Sequence, residues 1–307
     1  MTEENQAWLA SQFEENRSHL RTVAYRMLGS LGEADDAVQE AWLRLSRSDA
    51  SAIENLGGWL TTVVAHVCLD MLRSRTSRRE EALETDTPAP GAISNKRAAR
   101  DPEQETILAD SVGLALLVVL DRLEPAERLA FVLHDMFAVS FDEIASIVGR
   151  STDATRQLAS RARRRVQGAP AISRSELHEQ RAVVDAFLAA LRNGDFDRLV
   201  VALDPDAVVR LDEKAARPGG PREIRGAENW AKGAIEFSRQ IGVGSAVRPM
   251  LVNGAVGLVW APRGRLLRVL RFSFAGGKIA TIDVIAEPTT LQEVDLAVLE
   301  GVSEISG

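Results

Sequence analysis

Between residues 150 and 168 the chain carries six arginines against one aspartate, a local charge of +5 within 307 residues whose net charge is −7. Arg156, Ser160 and Arg163 recur at steps of four and three, the spacing that lines side chains along one face of a helix, and Thr155 and Ala159 would share that face. These residue types suit the major groove of duplex DNA. A guanidinium can bridge O6 and N7 of guanine, a hydroxyl can meet a base edge, and a small residue lets the helix approach closely. Arg150, Arg161, Arg164 and Arg165 can take phosphates, and so can the helix N-terminus that Ser151 would cap.

The elements that must hold this face can be read around it. Ala154, Leu158, Ala162 and Val166 recur every four residues and form an inward stripe. Just upstream, Ser140-Phe141-Asp142-Glu143 has the form of a capping box. A first helix should therefore start at Phe141, bury Ile144, Ala145 and Val148, and stop at Gly149, which is free to adopt positive φ. Two helices joined by three or four residues that include glycine make a helix-turn-helix over residues 140–166.

Towards the N-terminus, residues 7–79 place apolar side chains at three- and four-residue intervals, as in Ala34, Val38, Ala41, Trp42 and Leu45, which predicts an all-helical unit. With Val38 inward, the same helix turns Asp36, Gln39, Glu40 and Leu43 outward, with Asp35 beside them. An acidic face with one exposed leucine resembles a protein-docking surface more than a DNA surface, the competing reading being a solvated charged face with a stray leucine. A further helix opens at Gly57-Gly58-Trp59-Leu60 and ends in Asp70-Met71-Leu72-Arg73-Ser74-Arg75. Aromatic and basic residues together can stack on exposed bases and hold phosphates, the chemistry that captures single-stranded DNA. Residues 80–101, with Pro88-Ala89-Pro90-Gly91, lack periodicity and read as a linker. Helical pattern resumes at about Pro102 and runs to Gln167, where Gly168-Ala169-Pro170 interrupts it.

The C-terminal part has a different texture. A helix over residues 175–192 and another over 227–239 accompany β-rich runs at 207–211, 255–261, 266–274 and 279–285. Asn253-Gly254 and Gly276-Gly277 read as hairpin turns, giving an α+β unit built on an antiparallel sheet. Asp212 and Asp283 are candidates for a carboxylate whose pKa is raised by burial in a pocket, with Trp260 and Arg271 as lining; the competing reading makes both acids structural. His19, His66, His134 and His178 are scattered without metal-ligand spacing, and no metal or cofactor is expected. Cys68, in an apolar run, has no intrachain partner, which suits a reducing compartment. The first residues are polar and acidic, and no run approaches the roughly 18 apolar residues of a membrane span, so a cytoplasmic protein with no membrane partner is expected.

In this order the motifs resemble the two conserved domains of an extracytoplasmic-function sigma factor of the sigma-70 family. Ala24-Tyr25-Arg26-Met27-Leu28-Gly29, Asp35-Asp36-Ala37-Val38-Gln39-Glu40-Ala41-Trp42 and the stretch from Trp59 to Arg75 resemble the sigma-two domain. Leu123-Glu124-Pro125-Ala126-Glu127-Arg128, continuing to Arg165, resembles the sigma-four domain. The remainder is similar to a SnoaL-like domain of the nuclear-transport-factor-two-like (NTF2-like) superfamily, through Phe187-Leu188-Ala189-Ala190-Leu191-Arg192-Asn193-Gly194-Asp195 and Ile282-Asp283-Val284-Ile285-Ala286-Glu287-Pro288.

The resemblance implies a multidomain chain: two all-α helical domains at 7–79 and 102–168, the second a helix-turn-helix, then an α+β, cone-shaped SnoaL/NTF2-like domain at 175–307. It implies a transcription initiation factor rather than an enzyme, with core RNA polymerase and promoter DNA as partners. Asp35, Asp36, Gln39, Glu40 and Leu43 would meet the β′ clamp helices, and the β subunit would also be contacted. Trp59, Arg73, Arg75 and the loop at 46–55 would open and read the minus-ten element. Arg150, Ser151, Thr155, Arg156, Ser160, Arg163 and Arg164 would bind the minus-thirty-five element. The C-terminal domain would modulate activity and could take a small-molecule ligand. Two readings of other classes stay open: a ligand-sensing one-component regulator, and a SnoaL-like isomerase or cyclase fused to a regulatory helix-turn-helix.

Overall fold

The apolar spacing of the N-terminal region folds as three helices, α1 (Glu3–Leu28), α2 (Leu31–Leu45) and α3 (Leu56–Glu84), in a computed structural model that describes residues 3–48, 53–84, 111–216, 219–241 and 246–299. Most of the linker, including Pro88 and Pro90, the helix start expected near Pro102, and residues 49–52 of the 46–55 loop lie outside the described residues. Leu20, Val23, Met27, Ala34, Ala41, Leu60, Val64 and Cys68 are fully buried where the three helices meet. Burial pushes the Cys68 thiol up to about 12, so it is an apolar core group rather than a reactive one.

The chain continues as α4 (Ser111–Leu120), α5 (Pro125–Phe131) running into a π-helical turn (Val132–Met136), α6 (Phe141–Val148) and α7 (Thr152–Gln167). Pro125 opens α5, where its missing N–H removes a donor that has no helical partner anyway. Contacts divide the described chain into two compact units, 3–84 with 120–163, and 111–119 with 164–299. The first unit is all-helical. Within it Arg128 of α5 is 2% exposed. Its guanidinium donates to the carbonyl of Arg26 at 3.2 Å and lies 3.6 Å from Asp121. Burial pulls this arginine down to about 10, against the pull of Asp121, and the carbonyl and carboxylate are what make a buried cation tolerable.

The second unit holds α4, the end of α7, and an α+β fold: α8 (Arg174–Asn193), α9 (Phe196–Ala202), β1 (Leu203–Leu211), β2 (Glu223–Arg225), α10 (Ala227–Ile241), β3 (Val247–Val252), β4 (Ala255–Trp260), β5 (Arg268–Ala275), β6 (Lys278–Ile285), α11 (Pro288–Glu293) and β7 (Leu296–Ala297). The seven strands run in the order β2-β1-β6-β5-β4-β3-β7. The expected turns are present: Asn253 and Gly254 have φ of 51° and 79°, and Gly276 and Gly277 have φ of 57° and 74°, the doubly positive pattern of a tight hairpin.

The sheet is built on antiparallel pairs as expected, with one correction: β1 pairs with β6 in parallel. The chain leaves β1 through β2 and α10, lays down the β3–β4–β5 meander from the far side of the sheet inward, and returns with β6 between β5 and β1, parallel to β1. Phe187 of α8 stacks on Trp230 of α10 at 5.6 Å and meets Phe272 of β5 edge-on at 5.5 Å, which joins helices and sheet into one core. No described helix is long and apolar enough to cross a membrane.

Candidate nucleic-acid interface

The helix-turn-helix is built as its sequence dictates. Ser140 Oγ accepts from the Glu143 N–H at 3.3 Å, while the Glu143 carboxylate accepts from the Ser140 N–H at 3.1 Å, so the capping box at the start of α6 is complete. Gly149 ends α6 at φ 73°, and both its N–H and that of Arg150 donate to the Ala145 carbonyl. Ser151 Oγ then accepts from the Ala154 N–H at 3.2 Å, and the Thr152 hydroxyl donates to Asp142 at 2.7 Å, which fixes the start of α7 against α6.

Along α7 the buried stripe is Thr155, Leu158, Ala159, Ala162 and Val166. Thr155 and Ala159 are thus corrected: both are 0% exposed and lie inward, and Ala154 is only half-buried. A strict four-residue repeat advances about 40° past a full turn at each step on a 3.6-residue helix, so the stripe had to include three-residue steps as well. The Thr155 hydroxyl donates back to the Ser151 carbonyl at 3.0 Å, leaving a methyl group for the core. The outward ridge consists of Arg156, Gln157, Ser160, Arg161, Arg164 and Arg165, with Arg150 and Ser151 exposed at the turn. Gln157 was not singled out from the sequence. Its position three residues before Ser160 and four before Arg161 is the signal that finds it, and its amide is the group that pairs with adenine N6 and N7.

Two of the arginines are held in place. Arg156 donates to Asp153 at 2.8 Å and lies over the Phe141 ring at 5.8 Å. Arg163 is half-exposed and donates through Nε and Nη2 to Asp135 Oδ1 at 2.8 and 2.6 Å, so it rests against the π-helical turn at the side of the ridge.

On the three-helix bundle, α2 presents Asp36, Gln39 and Leu43 exposed, the leucine at 38%, with Asp35 and Glu40 on the same face. Asp35 accepts from Arg21 at 2.7 Å and Glu40 from Arg44 at 2.9 Å. On α3, Arg73 is exposed and Trp59 half-buried. Arg75 is a brace: it pairs with Glu33 and donates to the Leu28 carbonyl at 3.1 Å, tying α3 to the corner between α1 and α2.

A cavity of about 500 Å³ lies in the second unit, lined by Trp230, Phe237, Trp260, Leu258 and Arg268 among others. Of the expected pocket residues only Trp260 lines it. The Asp212 carboxylate accepts from the backbone N–H groups of Ala215, Ala286 and Glu287 at 2.8, 2.6 and 2.7 Å. Asp283 and Arg271 are cross-strand partners on β6 and β5, 2.8 Å apart, with Arg210 3.6 Å from Asp283. Neither acid lines the cavity, and both carboxylates are engaged by these bonds.

Two family models match the chain: Sigma-70 region 2 over residues 12–78 and Sigma-70, region 4 over residues 113–166. The chain is 38% identical over 288 residues to the ECF RNA polymerase sigma factor SigJ of Mycobacterium tuberculosis, covering 91% of each. It is 35% identical over 291 residues to the probable ECF RNA polymerase sigma factor SigI of the same species, covering 93% of each. The crystal structure of Mycobacterium tuberculosis SigJ has 35% sequence identity, a TM-score of 0.44, and coverage of 92% of this chain and 98% of that one. A Burkholderia xenovorans NTF-2 like protein of unknown function covers 36% of the chain at 19% identity with a TM-score of 0.27.

Proposed function

Because the chain belongs to the extracytoplasmic-function (ECF) RNA polymerase sigma factors, we propose that its surfaces divide the work of promoter recognition between α7, α3 and α2. The observation that carries this reading is the outward ridge of α7, a row of arginine, glutamine and serine presented by a capped helix-turn-helix within the residues matched by sigma-70 region 4. Arg156, Gln157 and Ser160 read base edges of the minus-thirty-five element, while Arg150, Ser151, Arg161 and Arg164 hold phosphates. Arg163 joins them by leaving Asp135. Thr155 has no part, since its hydroxyl and methyl are both spent inside the domain.

Trp59 and Arg73 of α3 serve the minus-ten element, Trp59 as a stacking surface and Arg73 as a phosphate partner. Arg75 supports them by holding α3 in place. The acidic face of α2, with Leu43 at its end, docks on the β′ clamp helices of core polymerase in the cytoplasm. The second unit modulates initiation. It is shared with SigJ and SigI, since those alignments run far beyond the region 4 match that ends at residue 166.

Charge reversal of the α2 face tests the docking assignment. Asp36→Lys with Glu40→Lys should abolish co-elution with core polymerase on gel filtration while leaving the thermal unfolding midpoint within a few degrees, because both side chains are at the surface. Co-elution at the unmodified level would remove α2 from the polymerase interface.

A further inference from the structure

The cavity of the second unit has mainly apolar walls and one charged group among the described lining residues. Trp230 and Phe237 of α10 and Trp260 of β4 provide three aromatic surfaces, and Leu258 and Leu270 close the sheet side. About 500 Å³ lies within the range of pockets that enclose whole small molecules.

Arg268, the first residue of β5, is the one charged side chain among the described lining residues. Its guanidinium carbon lies 4.5 Å from the Phe237 ring centre and 5.8 Å from that of Trp260, so the group is fixed in orientation by two aromatic neighbours. Three arginines on the strands of this unit are paired: Arg271 with Asp283, Arg210 with Asp283 and Glu223, and Arg225 with Glu223. The nearby carboxylate, Asp212, is occupied by three backbone N–H groups. Burial pulls the Arg268 guanidinium below its usual range, against the pull of Asp212, yet it remains a cation at neutral pH. A planar fork of N–H donors facing an apolar chamber is complementary to a planar anion carried on an apolar body.

We propose that this cavity binds an aromatic carboxylate, with the carboxylate on Arg268 and the ring system between Trp230, Phe237 and Trp260. The site lies in the modulating unit and makes that unit a ligand receptor. Binding is measured without transcription, so its failure would leave the sigma-factor reading standing.

The probe is 2-naphthoate, compared with neutral 2-naphthamide, titrated by calorimetry into the full chain. The expected result is saturable binding of about one equivalent of naphthoate, at least tenfold tighter than naphthamide. Arg268→Gln should remove that tenfold preference while naphthamide binding stays within about twofold, and Arg268→Lys should restore part of it. Leu258→Trp, which fills the chamber, should weaken both probes. Equal affinity of the two probes for the unmodified chain, or no saturable binding of naphthoate up to millimolar concentration, would overturn the proposal without reliance on any variant. An Arg268→Gln chain that retains its naphthoate preference would overturn the role of Arg268.

Discussion

Arg156 and Arg163 both begin in the grip of an aspartate, and the two grips differ in strength. The Arg156–Asp153 pair is exposed on both sides, the kind of ion pair worth only about 0–1 kcal/mol, so Arg156 can leave it for DNA at little cost. Asp135 is only 12% exposed and accepts two bonds from Arg163 on one oxygen. Arg156→Ala should therefore lower promoter affinity by about 1–3 kcal/mol with almost no change in unfolding midpoint. Arg163→Ala should lower affinity and also destabilise the domain by about 1–3 kcal/mol, because the mostly buried Asp135 loses two charge-assisted bonds. Anisotropy titrations at matched salt, paired with thermal melts, separate the two. Equal effects on stability would contradict the assignment of Arg163 as a shared structural and DNA-facing group. At this scale the sequence disclosed residue types better than partners. The arginine cluster and the acidic face of α2 were legible because charge and spacing are properties of a single helix. The inward turn of Thr155, the brace at Arg75 and the employment of Asp212 on residues 215, 286 and 287 were not, because each depends on an atom the chain brings close only by folding.

Among the elements, the pair α6–α7 was readable almost to the residue. Its caps and its turn are local devices: Ser140 with Glu143, Gly149, and Ser151. An added Cβ at Gly149 meets nothing within 4 Å, so the cost of substitution there is conformational rather than steric. Gly149→Val should destabilise the domain by about 1–2 kcal/mol and Gly149→Asn by less, since asparagine tolerates the left-handed region. Urea denaturation of the two variants gives the order; equal loss for both would mean that the turn geometry is not what limits the site. The hairpin turns at Asn253-Gly254 and Gly276-Gly277 were legible for the same local reason. Strand β3 was not, because Pro249 sits within it and argues against a strand. The structure resolves the conflict. Counting out from the Val252–Ala255 pair that closes the hairpin, Pro249 falls at a position that does not bond to β4, and β7 pairs only with Leu251 and Val252. The missing N–H is thus not needed on either side.

In the whole molecule, α1, α2 and α3 share one compact unit with α5, α6 and α7 as far as Arg163, joined where buried Arg128 donates to the Arg26 carbonyl. A compact unit of about 120 residues has a diameter of roughly 35 Å. Elements at minus ten and minus thirty-five are about 25 base pairs apart, ~85 Å of duplex. Under the proposed division of work, a unit of that size reaches both elements of one promoter only if the Arg128 contact opens when the chain engages DNA with polymerase. Fluorophores on Ser18→Cys and Ser146→Cys should move apart by tens of ångströms on promoter-complex formation, and unchanged energy transfer would contradict the opening. The division into units also sets how the function has to be tested. The apolar helix α4 groups with the second unit, and the Val166 carbonyl near the end of α7 accepts from the Val298 N–H at 2.9 Å. Cutting the chain at residue 170 would strip both of their partners, so the intact chain is the right reagent. The most direct measurement is transcription by core RNA polymerase from a promoter library, with and without the full-length chain. The account predicts that the chain directs initiation from a defined subset of promoters and that Arg156→Ala reduces it. A chain that binds both core polymerase and duplex DNA yet directs no initiation from any promoter would contradict it.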